Sequence, residues 1–328
     1  MLKLLPLILI LTTYAHAITL KQMKQEQRIA IVIGNEEYDD SPVESATKDA
    51  HKMKVFLEAN GFYVYYGENL DKKNTIRLLR KFNKALRDNA IALFYYKGHI
   101  LQSKKENYLI PIDSGILAEK MLKRKSVSFK SVLRGLDHVN SRLNILILDS
   151  AKGDTFSNFA PKAKGLCSIS TSDAYTFFFA TKTGVIVDND RFTHNFIQSA
   201  KTKGHDLLDI KNDLYASAYL HKHQTPLVYT SKATSFFFVL PDRLISKDEK
   251  AFKKIPIDSS KKQLEDFIMR YPNSSFIPES KQRLKILEEK DIAQRRAAFE
   301  AAALKATQKQ KALLEANETA STNELLTP

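Results

Sequence analysis

The stretch Arg28-Ile-Ala-Ile-Val-Ile-Gly34 decides the fold, because an unbroken apolar run that ends in glycine is typical of a strand buried on both faces. Strands of this kind belong to parallel sheets that are covered by helices on both sides. Two similar runs follow, Ala90-Ile-Ala-Leu-Phe-Tyr-Tyr96 and Asn144-Ile-Leu-Ile-Leu-Asp149. Helical patterns separate these strands, so the sequence predicts an α/β fold.

The segments around these runs complete the predicted sheet and its helical layers. Apolar spacing predicts helices over residues 46–57, 74–86, 128–139, 193–201 and 207–221, and further strands over residues 62–66, 107–112, 174–181 and 234–240. We therefore expect a mainly parallel sheet of about six strands between helices. Ligands bind such sheets at the carboxyl ends of the strands, which here carry Gly34-Asn35, Gly98-His99 and Asp149-Ser150-Ala151.

The composition excludes several classes of protein. The 328 residues include 51 Lys and Arg against 37 Asp and Glu, a formal net charge of +14, and 43% are hydrophobic. These values exclude a wholly disordered chain and a multi-span membrane protein. The single cysteine, Cys167, excludes an internal disulfide framework and a multi-cysteine zinc site, and we expect neither a metal nor a cofactor.

The first seventeen residues have the pattern of a secretory signal. Met1-Leu2-Lys3 is a short positive segment, the apolar run 4–11 follows it, and Ala15-His16-Ala17 resembles a signal peptidase site. The run is too short for a helix across a bilayer, which needs about 20 apolar residues. We predict cleavage after Ala17 and a periplasmic or secreted protein.

Shifts in composition divide the chain into segments. We expect a signal peptide at 1–17, linkers at 18–27 and 241–256, the α/β domain at 28–240, a helical hairpin at 257–290, a long exposed helix at 291–316 and a disordered tail at 317–328. The hairpin surrounds Tyr271-Pro272, and it resembles a tetratricopeptide-like repeat in its apolar spacing. One such repeat is marginal alone, so it is expected to dock on the α/β domain or on a partner.

The order of motifs along residues 28–240 resembles bacterial caspase-like, metacaspase-related peptidase domains. The motifs are Arg28 to Asn35 with Tyr38, Lys48-Asp49-Ala50, Gly61-Phe62, Tyr95-Tyr96-Lys97-Gly98-His99, Asn107 to Asp113, Leu146 to Asp149 with Phe156, Ala180-Thr181 with Gly184 and Asp188, and Gln224-Thr225-Pro226. The resemblance implies the three-layer caspase fold and a catalytic histidine at His99.

Two departures from this family pattern concern the reaction itself. The position of the family's nucleophilic cysteine holds Ala151, and a methyl group cannot attack a carbonyl carbon. The family's glycine after the histidine is Ile100, which we expect to crowd the pocket. Cys167 lies far along the chain and is a poor substitute. Ser150 is an alternative nucleophile, but neighbouring residues of a strand point to opposite sides, so we expect it to face away from His99.

Two aspartates are candidate substrate-binding residues. Asp149 resembles the family's pocket aspartate, which helps bind a basic side chain, and Asp188 resembles another position near the cleft; a turn or loop role remains open for both. Together the residues predict a caspase-like pseudopeptidase that binds a protein or peptide in the cell envelope. An active hydrolase that uses Ser150 and His99 is the alternative, and a purely structural scaffold is a third reading.

The basic charge bears on the choice of partner. Its densest cluster contains Lys120, Lys123, Arg124, Lys125, Lys130 and Arg134. Aromatic residues that would stack on bases are nearly absent there, so we expect no nucleic acid partner. A solvated surface explains such a cluster, and an anionic surface of the cell envelope is the competing interpretation. The oligomeric state is not predicted by the sequence.

The signal-peptide hypothesis makes a direct prediction about the mature protein. Because a signal peptidase cuts after the small-x-small motif, the mature chain should begin at Ile18. Terminal sequencing or intact mass of protein from the envelope fraction measures this. An intact Met1 in that fraction contradicts cleavage and favours an anchored form.

Overall fold

The computed structural model describes residues 18–39, 41–104, 106–151, 174–181, 191–220, 225–230 and 235–324, with the backbone alone for residues 150–151 and 310–324. These residues divide into two compact units, one that ends at Arg243 and one that begins at Leu244. The first unit contains every described strand. The predicted signal peptide, residues 1–17, lies outside the described residues.

The elements of the first unit alternate between strands and helices, as the sequence predicts. The strands are β1 (Arg28–Gly34), β2 (Phe62–Glu68), β3 (Ile91–Ser103), β4 (Glu106–Leu109), β5 (Val127–Ser128), β6 (Leu143–Ala151), β7 (Tyr175–Phe179) and β8 (Leu227–Tyr229). The helices are α1 (Leu20–Gln25), α2 (Ala46–Ala59), α3 (Lys72–Ala85), α4 (Leu122–Lys125), α5 (Phe129–Asp137), α6 (Phe192–Ala200) and α7 (Leu207–Leu220).

The strands pair in the order β2-β1-β3-β6-β7-β8, and only β8 runs antiparallel to its neighbour on this path. The second half of β3 leaves this path and pairs antiparallel with β4, which in turn pairs with β5. The prediction of a mainly parallel sheet of about six strands is therefore confirmed. Because β1, β3 and β6 are adjacent and parallel, their carboxyl ends lie at one edge of the sheet.

Helices cover both faces of the sheet, which gives the three layers expected. On one face, apolar residues of α2, α6 and α7 pack with Ala30 and Val32 of β1. On the other face, residues of α3 and α5 pack with Ile31 and Ile33. Every residue of β1 is buried, as its continuous apolar sequence predicts.

The segment predicted as a last strand, residues 234–240, differs from that prediction. Its described residues, 235–240, form a single bridge between Phe237 and Asp206. The guanidinium of Arg28 explains the difference, because it donates hydrogen bonds of 3.1 and 3.2 Å to the backbone carbonyls of Phe237 and Phe238. These carbonyls are thus satisfied by a side chain instead of a strand partner. The strand at this end of the sheet is β8.

The second unit consists of α8 (Lys247–Lys253), α9 (Lys261–Arg270) and α10 (Ile277–Glu324). The predicted linkers at 18–27 and 241–256 differ from the structure, because they contain α1 and α8. Phe252 of α8 is buried and stacks on Phe276 with ring centroids 4.7 Å apart. The single helix α10 contains three segments that were predicted separately: the second helix of the hairpin, the exposed helix 291–316 and part of the tail. Their Ala-, Lys- and Glu-rich sequence favours such a continuous helix. The tetratricopeptide-like resemblance stays a prediction.

None of the described helices is both long enough and apolar enough to cross a membrane.

Candidate functional site

The carboxyl ends of β3 and β6 bring the predicted site residues into register. The backbone of Lys97 is paired with that of Asp149, and the backbone of His99 is paired with that of Ala151. Ser150 is paired with Gly98. Register partners in a parallel sheet lie on the same face, so the pairing assigns Ala151, and not Ser150, to the position beside His99.

His99 is enclosed by the loop that follows β1. The side chain is only 2% exposed, and its ring lies 4.4 Å from the ring of Tyr38 between centroids. Its Nε2 atom lies 2.8 Å from the backbone carbonyl oxygen of Ser41. Because a carbonyl oxygen only accepts hydrogen bonds, Nε2 carries a proton and donates it. The carbonyl of Ser41 therefore fixes both the orientation and the tautomer of the ring.

Two buried tyrosines hold the backbone on either side of His99. The hydroxyls of Tyr38 and Tyr96 both donate to the carbonyl oxygen of Ile110, at 2.8 and 2.9 Å, and the backbone N–H of His99 donates to the Tyr38 hydroxyl at 3.1 Å. A Cβ atom at Gly98 would lie 2.7 Å from the Tyr38 hydroxyl, so a larger residue does not fit there. Burial raises the pKa of Tyr38 to about 12, so this tyrosine stays a neutral donor at physiological pH.

Lys97 is the central charged residue of the site, and the sequence analysis gave it no role. It is 3% exposed, although lysine is almost never buried without a partner. Its Nζ atom lies 2.7 Å from Oδ2 of Asp49 on α2 and 3.5 Å from Oδ2 of Asp149. Lys52, which is half-exposed, reaches the other oxygen of Asp49 at 2.8 Å. The sequence signal for this buried charge is a lysine within β3 that directly follows the apolar run 90–96.

The carboxylate of Asp149 has a second partner on α6. The hydroxyl of Thr193 donates to Oδ2 of Asp149 at 2.8 Å, and the hydroxyl of Tyr95 lies 2.8 Å from the same threonine oxygen. All three side chains are buried. Asp149 is thus part of an internal network that connects β6 to β3 and α6.

The structure corrects the expected role of Ile100. This side chain is buried in the apolar cluster that contains Leu109 and Phe129, on the face of the sheet covered by α3 and α5. Lys97 lies on the opposite face, since it contacts α2. Successive side chains of a strand alternate between faces, which directs Ile100 into the core and away from the pocket that it was expected to crowd.

Some candidate residues cannot be placed. Asp188 and Cys167 lie outside the described residues, and the side chains of Ser150 and Ala151 are not described. Among the residues whose placement is described, no group of three or more His, Cys, Asp or Glu side chains is arranged to hold a metal ion. The described part of the site provides an imidazole, an ammonium and a carboxylate, from His99, Lys97 and Asp149.

Comparison with known proteins agrees with this arrangement of strands and helices. The sequence model of the caspase domain matches residues 27–238, which is more than half of the chain. The chain belongs to the caspase domain family. The match includes β1, the His99 segment and the end of β6, so the family's fold carries the site described above. No curated protein matches the sequence.

Solved structures with similar folds include both bacterial and animal proteins. Protein GSU0716 from Geobacter sulfurreducens is 14% identical, and the similarity covers 62% of this chain and 93% of that protein with a TM-score of 0.48. The Drosophila initiator caspase Dronc is also 14% identical, with coverage of 64% and 82% and a TM-score of 0.44.

Replacement of Lys97 tests whether it neutralises the two buried aspartates. Lys97→Met removes the ammonium that lies between two buried carboxylates, so the free energy of unfolding should fall by about 3–5 kcal/mol. Urea denaturation of the full chain measures this loss.

Matched variants separate a charge effect from a packing effect. Adding Asp149→Asn to Lys97→Met removes one uncompensated carboxylate and should recover part of the lost stability, whereas the exposed Lys201→Met should change the free energy of unfolding by less than about 0.5 kcal/mol. Equal effects of Lys97→Met and Lys201→Met would contradict the buried network.

Proposed function

We propose that this caspase-domain chain is an exported pseudopeptidase, which binds a protein or peptide in the cell envelope without cleaving it. The observation that carries the proposal is the backbone register between His99 and Ala151. Cysteine peptidases need a thiolate beside the catalytic imidazole. An alanine at the register position of His99 provides no lone pair to attack a carbonyl carbon.

The environment of Asp149 supports the same proposal. In the family that the sequence resembles, an aspartate at this place binds a basic side chain of the substrate. Here the ammonium of Lys97 lies 3.5 Å from Asp149 and 2.7 Å from Asp49. The chain's own lysine thus supplies the cation that a substrate would bring, and a peptide that binds near β6 gains little from a basic residue.

His99 keeps one basic nitrogen but has little access to solvent. A general base must reach the proton that it removes, and His99 is only 2% exposed. Its Nε2–H donates to the carbonyl of Ser41, so Nδ1 is the nitrogen that can act as a base. The competing proposal, a hydrolase that uses Ser150 and His99, requires Ser150 to leave its register with Gly98 or a rearrangement of β6. A structural scaffold without any ligand is the third candidate. Like the pseudopeptidase proposal, it predicts that the chain does not cleave peptides.

The pseudopeptidase proposal predicts no peptide cleavage. The purified chain should not release the fluorophore from peptides that carry a basic or an acidic residue at the scissile position, because Ala151 provides no nucleophile. A fluorogenic peptide panel measures this with wild type, Ser150→Ala and His99→Ala side by side. Turnover by the wild type that is lost in both variants would contradict the proposal and establish the serine hydrolase.

A thiol placed at residue 151 provides the control for the alignment. In a Cys167→Ser background, the thiol of Ala151→Cys should react with iodoacetamide at neutral pH roughly tenfold faster than in the same chain with His99→Ala, because a nearby imidazole favours the thiolate. Equal rates in the two chains would show that residue 151 does not lie beside His99. The inactivity of the wild type would then need another explanation.

A further inference from the structure

A groove of about 790 Å³ runs along the outer side of α3 in the first unit. Its lining contains seven Lys and Arg side chains against two carboxylates, Asp71 and Asp113, so its formal charge is 7 − 2 = +5. α3 forms one wall, and Lys125 of α4 contributes to the lining from another element. The sequence alone indicates the basic cluster around Lys125, whereas the stripe of cations on α3 emerges only from the structure.

The cations of α3 form a stripe along one side of the helix. Lys73, Arg77, Arg80 and Lys84 follow one another at intervals of three or four residues, and Lys81 lies beside them. At 1.5 Å per residue, the stripe from residue 73 to residue 84 is about 16 Å long. This length equals that of about five residues of extended peptide, at 3.3 Å per residue.

Folding of the chain alone does not explain this stripe. Within the described residues, no carboxylate forms an ion pair with Lys73, Arg80 or Lys84. Like charges four residues apart on a helix destabilise it, and Lys73 and Arg77 as well as Arg80 and Lys84 are such pairs. Repulsion among these cations lowers the stability of α3. An anionic ligand that binds along the helix would remove this repulsion.

The groove is separate from the site around His99. Leu79 and Phe82 of α3 pack on the sheet face that contains Ile31 and Ile33, whereas Lys97 contacts α2 on the other face. The N-terminal end of the groove is fixed by Asp71, whose carboxylate caps α3 by accepting the backbone N–H of Asn74 at 2.5 Å. Lys72 also ties α3 to α4, because its ammonium donates to the backbone carbonyl of Arg124. The wall of the groove is therefore built from ordered elements.

We propose that this groove, here called the α3 groove, binds an acidic polypeptide segment of a partner protein. The inference rests on the binding role proposed above and assigns that role to a surface away from the caspase-type site. The Glu and Asp side chains of the partner pair with the stripe of cations, and aliphatic residues of the partner contact Ile76 and the methylene stems of the lysines.

The lining favours a polypeptide over other polyanions. Ile76 is the aliphatic residue of the lining, and no aromatic side chain is present among the described residues of the groove, so bases have no stacking platform. Asp71 and Asp113 lie among the cations, and they oppose a polymer with a phosphate at every unit but accept the backbone N–H groups or an occasional basic residue of a peptide. A concave groove also makes poorer contact with the flat surface of a membrane than with a single extended segment.

Charge reversal on α3 tests the proposal with the full chain. The probe is a fluorescein-labelled peptide of Glu, Asp and Leu about six residues long, and its anisotropy measures binding. We expect the affinity to fall at least about tenfold in Lys73→Glu/Arg80→Glu and by less in Lys73→Gln/Arg80→Gln, and to weaken as salt is added. All four substitutions lie at exposed helical positions, and circular dichroism and the melting temperature confirm that each variant is folded.

The matched control is Lys48→Glu/Lys201→Glu, which changes the net charge equally at exposed positions of α2 and at the end of α6, on the other face of the sheet. It should change the affinity by less than about threefold, since surface charges outside the groove are screened. Equal losses in both pairs, or no binding of the peptide, overturn the proposal. Phosphatidylglycerol vesicles and oligothymidine serve as competing ligands. If either binds in an α3-dependent way and the peptide does not, the proposal is overturned, because the ligand is then a membrane or a nucleic acid.

The outcome is separable from that of the pseudopeptidase proposal. Failure of the peptide to bind while the chain stays inactive towards peptides overturns the α3 groove alone. Cleavage that depends on His99 overturns the pseudopeptidase alone, because the two sites lie on opposite faces of the sheet.

Discussion

The ammonium of Lys97, held between the carboxylates of Asp49 and Asp149, is the interaction on which the site depends. Each of these groups is almost completely removed from water, which costs several kcal/mol for an isolated ion and is offset only when opposite charges meet at short distance. The contact joins the first turn of α2 to the carboxyl ends of the paired parts of β3 and β6. Loss of any one charge therefore disturbs the whole edge.

The polar side chains at this edge of the sheet are satisfied by partners within the chain. The carboxylate of Asp149 is satisfied by Lys97 and Thr193 from within the chain. His99 is likewise satisfied by the carbonyl of Ser41 and packed against Tyr38. These polar groups are part of the interior, whereas the cations of the α3 groove face solvent.

The sequence was sufficient for the parallel sheet, because the runs that form β1, β3 and β6 are apolar throughout and only a doubly covered sheet buries such strands. It was insufficient where a long-range contact decides the outcome. The sequence of residues 235–240 predicts a strand. In the structure, Arg28, some 210 positions away, donates hydrogen bonds to two of their backbone carbonyls. Ile100 was assigned to the pocket, and the alternation of β3 turns it into the core. The partners of Lys97 belong to two other elements, so no local pattern predicts them.

Chemical rescue of Lys97→Ala tests most directly whether Lys97 fills a cation site at Asp149 and Asp49. The substitution removes the three outer carbons and the ammonium, a fragment that propylammonium replaces. The account predicts that propylammonium chloride raises the melting temperature of Lys97→Ala above its value in sodium chloride of the same ionic strength, and leaves the wild type unchanged. The same response in both proteins, or none in the variant, would contradict the account.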